Sequence, residues 1–526
     1  MNLAVAVGFG LLLACLPSGA AAAPTAPLSQ HGRWVTDAHG RAVVLHGVNM
    51  VFKRRPYHPA AIGFDAQDAS FLRREGFNNV RLGLIYAGVE PSPGSYDDAY
   101  LAQIARSVRD LSRQRVFTML DFHQDLYNER FQGEGWPDWA VQDEGLPAEP
   151  KAGFPANYIL MPALNRAFDH FWANDAGPGG VGLQDRYAAA WRHVAARFRG
   201  ERHLLGYDLM NEPWPGTGWQ ACANTAGCPV FEGGPLTDFS RRVAGRIREV
   251  DRRNLVWYEP NVIYNNGPET HHGDIGPRSG FSFHVYCLAE GQTPGRSPID
   301  PAQAAACETV EELPFDNAEK QSQRTGDTML LTEFGATDDL GQIERMVERS
   351  DANMVGWQYW HYCQCQDPTT TGGPTQAVVV DPRLPPSGDN VKTEKLAVLA
   401  RPYPEAVAGT PRGWDFDPDT RRFDLSFATA PPAGGRFRFR ADTQVFVGSR
   451  HYRGGYDVRV QGGEAISGAN AARLRIRTCA GRGSVRVVVT PGRGRRSADC
   501  RARRSQAPRR RSGRRGGQRR APGLTG

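Results

Sequence analysis

Past its first two dozen residues, the 526-residue chain has no apolar run approaching the roughly 20 residues that cross a bilayer, so no transmembrane segment is expected. No GxGxxG or phosphate-cradling loop follows any early strand-like run, which argues against a doubly wound nucleotide-binding sheet. The nine cysteines include no second Cys/His pair at finger spacing, so no metal site is expected. A basic leader is missing too. The first residues, MNLAVAVGFGLLLACLPSGAAAAP, otherwise have the apolar core and small-residue stretch of an export signal. Residues 1–23 are therefore expected to be a signal peptide of a secreted protein, and the Leu12–Cys15 stretch fits a lipoprotein box poorly. Removal of Cys15 leaves eight cysteines, an even number suited to disulfides in an oxidising compartment. Cys222 with Cys228 and Cys479 with Cys500 close local loops, Cys287 with Cys307 is a plausible third pair, and Cys363 with Cys365 would be strained.

Net basicity is confined to one place. The formal charge is +7, yet residues 493–526 hold 13 Arg and one Asp, a net +12 that leaves −5 on the rest. Nucleic acid is not an expected partner for such a body. The arginine-rich, apolar-poor stretch 493–526 is expected to be a disordered tail.

Between these ends the chain alternates. Eight short β-rich runs, at 42–50, 77–86, 117–123, 204–213, 255–261, 280–286, 329–335 and 354–362, are separated by amphipathic segments such as 68–75, 99–114, 183–199, 236–251 and 340–350. Several of the runs are almost continuously apolar, as strands buried on both faces must be. Eight β/α alternations predict a (β/α)₈ TIM barrel over 31–405. From about 410 the pattern changes to period-two alternation with Gly/Pro turns, in RRFDLSFAT, GRFRFRAD, TQVFVG, YDVRVQ, ARLRIRT and SVRVVV. That predicts a small C-terminal antiparallel β-sandwich over 410–492, with ARPYPEAVAGTP as the barrel's exit. The sandwich suits either a glycan- or membrane-binding module or a support for the barrel, and its outward arginines, in place of aromatic platforms, favour support.

The ends of the predicted strands carry the chemistry. Asn49, Arg81, His123 with Asp125, Asn211 with Glu212, Glu259 with Asn261, His284 with Tyr286, Glu333, and Trp357 with Trp360 all fall where a barrel builds its active face. Singly, each has a structural explanation; together they converge on one mouth. Glu212 and Glu333 end the fourth and seventh strands. A retaining glycosidase needs two such carboxyl groups about 5–5.5 Å apart, one to protonate the leaving oxygen and one to attack the anomeric carbon. Arg81 and Tyr286 are placed to hold Glu333 ionised, and a nearby histidine to exchange protons with Glu212, whose task needs a raised pKa. Asn211 suits a sugar 2-hydroxyl, and Trp360 offers a flat face for a sugar ring. No cofactor is implied.

With NEP at 211–213, TEFG at 332–335, Arg81, His123, His284-Val285-Tyr286 and Trp360, the chain resembles glycoside hydrolase family 5 over about 31–400. Its longer stretches GVNMVFK, DFHQDLYNERFQGEGWPDWA, LMNEPWPG and LLTEFGA resemble the secreted endoglycoceramidases of actinobacteria. The resemblance implies cleavage of the β-bond between glycan and ceramide of a glycosphingolipid, at a membrane or micelle surface and by a monomer. It implies Glu212 as acid/base and Glu333 as nucleophile, with Lys53, Arg81, His123, Asp125, Asn211, His284, Tyr286 and Trp360 as substrate-site residues. It also implies a C-terminal β-domain. Other family 5 activities, a glucosylceramidase or β-glucosidase or a cellulase or mannanase, stay open, as does a non-catalytic glycolipid-binding protein. The long insertion from about 124 to 182 carries Trp136, Trp139, Phe154, Tyr158, Phe168, Phe171 and Trp172. These aromatics suit either a lipid groove or a satellite core.

Overall fold

The computed structural model describes residues 23–287, 301–370, 373–500 and Gly523. Residues 1–22 of the expected signal, and the expected tail beyond Cys500 apart from Gly523, lie outside the described residues.

Eight strands close into a barrel in chain order: His46–Met50, Asn79–Ile85, Phe117–His123, Leu204–Asp208, Leu255–Tyr258, Ser279–Val285, Thr328–Phe334 and Gly356–Tyr359. All neighbours are parallel, and the eighth strand closes the ring on the first with Trp357 opposite His46. Every residue of the first seven strands is buried. Helices cover the outer face of the ring, which is why these runs lack the alternation of a one-sided sheet.

The helices start where the chain supplies caps. Asp65 and Asp68 form a capping box on Ala66–Arg74, and Asp97 accepts from the Tyr100 N–H at the start of Asp98–Arg113. That second helix turns Leu101, Ile104, Val108 and Leu111 inward at helical spacing. Helices Leu183–Phe198, Thr237–Arg248 and Leu340–Ala352 complete the expected set. Helix Pro162–Trp172, within the insertion, was not anticipated. Its Phe168 and Phe171 pack with Tyr127 and Trp136, whose rings stack at 4.2 Å. Trp136, Tyr158, Phe168 and Phe171 are all buried, so the satellite core is the reading that holds for these side chains.

The lower end of the barrel is closed by the N-terminus. A hairpin of Ser29–His31 and Trp34–Thr36 sits there, with Leu28 and Val35 packed on Leu45, Phe117, Met119, Leu205, Leu255, Trp257 and Leu330. Arg278 donates to the Leu28 carbonyl at 2.9 Å, and the Thr328 hydroxyl to that of Arg33 at 2.9 Å.

The second unit is a sandwich of two sheets. One contains Thr410–Asp417, Arg422–Ala428, Ser484–Pro491, Tyr456–Gln461 and Arg496–Ala498, in that order. The other runs from the N-terminal hairpin through Ala42–Val43 to Tyr403–Val407, Thr443–Phe446, Arg473–Thr478 and Gly463–Ala465.

Four expectations are corrected. The sandwich is not wholly C-terminal, because strands 29–43 belong to it. PYPEAV is a strand rather than a simple exit, since Ala406 pairs with Val43. The expected tail begins too early: Arg496–Ala498 pairs in parallel with Val458–Val460, and Cys479 is bonded to Cys500. GRFRFRAD is not a strand, and its Phe439 is 69% exposed.

The two units share a buried ion-pair joint. Glu405, fully buried, accepts from Arg73 of the first barrel helix and from Arg473. These arginines outweigh the burial that would raise it and hold its carboxyl below the usual range. Cysteines pair 222–228, 287–307, 363–365 and 479–500. Cys363 and Cys365, expected to be a strained partnership, are thus joined. Among the described residues no helix is long and apolar enough to cross a membrane.

Candidate active site

The two expected catalytic and eight expected substrate-site residues all lie at the C-terminal end of the barrel, in two adjoining clusters; Trp357, also expected at the mouth, packs instead on His46 and Phe77. The first is organised by Arg81, a fully buried guanidinium on the second strand. Its Nε donates to Asp208 at 2.8 Å, Nη1 to Glu333 at 2.6 Å, and Nη2 to Asn211 at 3.0 Å and Glu259 at 2.7 Å. Asp121 lies 3.1 Å from Nη2. A planar fork with five N–H groups can serve several acceptors at fixed angles, which a lysine could not. Burial alone would strip its charge, but the four carboxylates outweigh burial and raise its pKa well above the ordinary value.

Glu333 emerges from the seventh strand. One oxygen accepts from Arg81, and the other accepts from the Tyr286 hydroxyl at 3.1 Å. Both expected donors are therefore in place. Burial nevertheless pushes this carboxyl up to about 7, opposed by His284 and Arg81 and reinforced by Glu212. Glu212 follows the fourth strand, in the left-handed region at φ 44°. A non-glycine residue held there is strained, and the surroundings must hold it. They do so at three points. Its N–H donates to Glu259 at 2.8 Å, its carbonyl accepts from the Gln124 side chain at 3.0 Å, and its Oε1 accepts from Asn265 at 2.6 Å. The same Oε1 lies 2.8 Å from His284 Nδ1. Ligating atoms of Glu212, His284 and Glu333 all lie within 4.8 Å of one another. Burial would make His284 neutral, but Glu259, Glu333 and the bond to Glu212 outweigh it and raise its pKa well above the ordinary value. It therefore donates to Glu212.

The second cluster is built on Lys53. Its ammonium donates to Asp125 at 2.6 Å and Thr369 at 2.7 Å, and lies 3.2 Å from Asp367 and 3.8 Å from Glu134. Burial opposes this charge, yet Asp125, Asp367 and Glu134 together raise its pKa. The ammonium also sits 4.6 Å from the centre of the Trp360 ring, and His123 stacks on that ring at 5.2 Å. His123 Nδ1 bonds to Asp121 at 2.8 Å, while its buried Nε2 makes no hydrogen bond and lies 3.6 Å from Asp125. Burial pulls this imidazole down to about 4 against the pull of Asp121, so it is neutral. A neutral ring with an unsatisfied nitrogen suits a ligand hydroxyl.

Eight residues of these clusters were missing from the expected site, among them Gln124, Glu134 and Asp367. Glu259 was visible as a strand-end acid but without a role. Asp121 and Asp208 lie inside strands, where alternation alone does not show that they meet Arg81. Asn265 sits in the short helical turn Val262–Asn266, and Thr369 in the loop after the last strand. No local sequence signal marks either.

Two groups at the mouth have metal-ligand chemistry, Glu212/His284/Glu333 and His123/Asp125/Glu134. Arg81 and Lys53 already supply the cations these carboxylates need. A third group, His361/Cys363/Cys365, has its two sulfurs tied to each other.

Two glutamates approaching within 4.8 Å at the mouth of a (β/α)₈ barrel, each with its own donors, define a glycosidase. Residues 36–366 match cellulase (glycosyl hydrolase family 5), and residues 401–489 match the glycoside hydrolase family 5 C-terminal domain. The chain belongs to glycoside hydrolase family 5. It is 32% identical to endoglycoceramidase I of Rhodococcus hoagii over 483 residues, 90% of each chain. It is 25% identical to the endoglycoceramidase of Cyanea nozakii, over 86% of this chain and 90% of that one. Among solved structures it is similar to endo-glycoceramidase II from Rhodococcus sp. in its lactosyl-enzyme intermediate, with a TM-score of 0.70, 29% identity, and 87% and 99% of the two chains covered.

Proposed function

We propose that the protein is a retaining endoglycoceramidase: it cleaves the β-bond between the glycan and the ceramide of a glycosphingolipid and releases both intact. The observation that carries this reading is the approach of Glu212 and Glu333 to within 4.8 Å, closer than the roughly 6.5–9.5 Å an inverting enzyme leaves for water. Likeness to two endoglycoceramidases over 86–90% of the chain supports the choice of lipid aglycone.

Glu333 attacks the anomeric carbon as the bond to the ceramide oxygen breaks, and Glu212 gives that oxygen its proton. Asn265 and His284 both donate to Oε1 of Glu212, which leaves Oε2 to carry the proton being delivered. In the second step water attacks the same carbon, Glu212 takes the water's proton, and Glu333 departs. Arg81 and Tyr286 favour the ionised form of Glu333 both before attack and on departure. The Asn211 side chain is fixed by Arg81 and by its own bond to the Gln124 carbonyl at 3.0 Å, so its second N–H is positioned for the sugar 2-hydroxyl. Lys53, Asp125 and His123 supply donors and acceptors to neighbouring hydroxyls beside the Trp360 ring. The enzyme works as an exported monomer on lipid at a membrane or micelle surface; eight cysteines in four disulfides support export.

The test is a substrate panel of a ganglioside, a glucosylceramide and soluble cellulose, read for glycan released. Intact oligosaccharide from the ganglioside is expected. Release from cellulose with neither lipid cut would replace this reading by a polysaccharide-cleaving one.

A further inference from the structure

Glu259 is buried at the end of the fifth strand and belongs to none of the roles above. Its two oxygens do different things. Oε2 accepts the backbone N–H of Glu212 at 2.8 Å, at the residue whose φ of 44° needs an external hold. Oε1 accepts from Nη2 of Arg81 at 2.7 Å, while Nη1 of that guanidinium binds Glu333. Oε1 also lies 3.5 Å from Nε2 of His284, whose Nδ1 meets Glu212. That His284 nitrogen has no other acceptor: it is buried and makes no hydrogen bond. One carboxylate thus touches the backbone of one catalytic glutamate, the cation that fixes the other, and the far side of the imidazole between them.

We propose that Glu259 is a positioning residue for the cleavage reaction, setting the proton donor Glu212 relative to the nucleophile Glu333 through these three contacts. This rests on the roles proposed above for the two glutamates. An aspartate is one methylene too short to span from the Glu212 N–H to Nη2 of Arg81. A glutamine is the right length but has only one acceptor oxygen, and its amide points N–H groups at a donor. The groups facing Glu259 are Arg81 from the second strand, Asp208 from the fourth and His284 from the sixth; those facing His284 are Glu212, Glu259 and Glu333. Removing the Glu259 charge takes a negative neighbour from His284, so His284 gives up its proton at lower pH.

The test compares wild type, Glu259→Gln and Glu259→Asp on a lactosylceramide in detergent micelles and on β-lactosyl fluoride, whose leaving group needs no proton. For Glu259→Gln, kcat/KM, which reports the glycosylation step alone, is expected to fall about 10²-fold on the glycolipid. On the fluoride the loss should stay within about tenfold, and the alkaline limb of kcat/KM should move down by about one pH unit. Glu259→Asp keeps the charge, so it should lose kcat/KM on the glycolipid while its alkaline limb stays at the wild-type position. Equal losses on both substrates with an unmoved limb would overturn the proposal, as would a Glu259→Asp limb displaced like that of the glutamine variant. If Glu259→Gln does not fold, the aspartate variant alone decides by the ratio of its two losses. Wild type inactive on both substrates would instead overturn the assigned activity, which is a distinguishable outcome.

Discussion

The two ends of the barrel are made from the same eight strands and have opposite chemistry. At the lower end, Leu45, Phe117, Met119, Leu205, Leu255, Trp257 and Leu330 meet Leu28 and Val35 of the N-terminal hairpin in a buried apolar plug. At the upper end, a few residues further along the same strands, Arg81, Asp121, Asp208, Glu259, His284 and Glu333 are equally buried. Burying an apolar side chain stabilises at about 25 cal/mol per Å², whereas burying a charge costs free energy unless partners are exactly matched to it. The lower end therefore holds the fold, and the upper end draws on that stability to keep charges in positions that water would otherwise screen.

The largest test of this contrast is Glu333→Gln. Turnover is expected to fall by on the order of 10⁵-fold or more, with the thermal midpoint unchanged or raised, since a buried charge is removed. A circular-dichroism melt beside a glycolipid assay checks both halves. Glu212→Gln should cost about 10³-fold on the glycolipid, where protonation of the leaving oxygen is needed; near-normal turnover would take the acid role away from it. At the opposite end, Phe117→Ala should destabilise by about 3–5 kcal/mol while the folded fraction keeps its specific activity, measured by urea unfolding and by active-site titration. Loss of activity without loss of stability there would break the division between the two ends. Lys53→Met should lower kcat/KM about 10²-fold, because Asp125 and Thr369 lose the ammonium that orients them.

The smallest effect belongs to the joint between the units. The Glu405 carboxyl is held below its ordinary range in the folded state, so its contribution is present above the unfolded value of about 4.3 and is lost as pH falls through the folded one. Wild type should therefore lose thermal stability between about pH 5 and 3 more steeply than Glu405→Gln. Parallel pH profiles of the midpoint would show that Arg73 and Arg473 do not sustain this ionisation.

Much of the barrel was legible because burial on both faces forces continuous apolar runs, and each of the eight expected runs overlaps one barrel strand. Helix starts were placed only approximately, because the caps Asp65, Asp97 and Asp339 were not read from the sequence. Glu212 and Glu333 stood out because each ends such a run. Asn265 did not, since a side-chain amide in a short loop turn looks like any other loop asparagine until the loop is closed over Glu212. GRFRFRAD was misread because alternation is a necessary mark of a half-buried strand and not a sufficient one: with no neighbouring strand to pair with, the segment leaves Phe439 exposed.

The sequence by itself determined the order of elements, the periodicity of each, and which strand ends carry carboxylates, because these depend on local backbone preference and on the side of each element that must leave water. Tertiary structure alone decided which distant groups meet. It put residues 29–43 into a sheet with residues 403–478, and it placed Asp121, Asp208, Glu259 and Glu333 around one guanidinium. Both are choices of pairing across hundreds of residues. They are made by closure of the barrel and by the requirement that every buried charge and strand edge find a partner, neither of which leaves a mark on nearest neighbours in the chain.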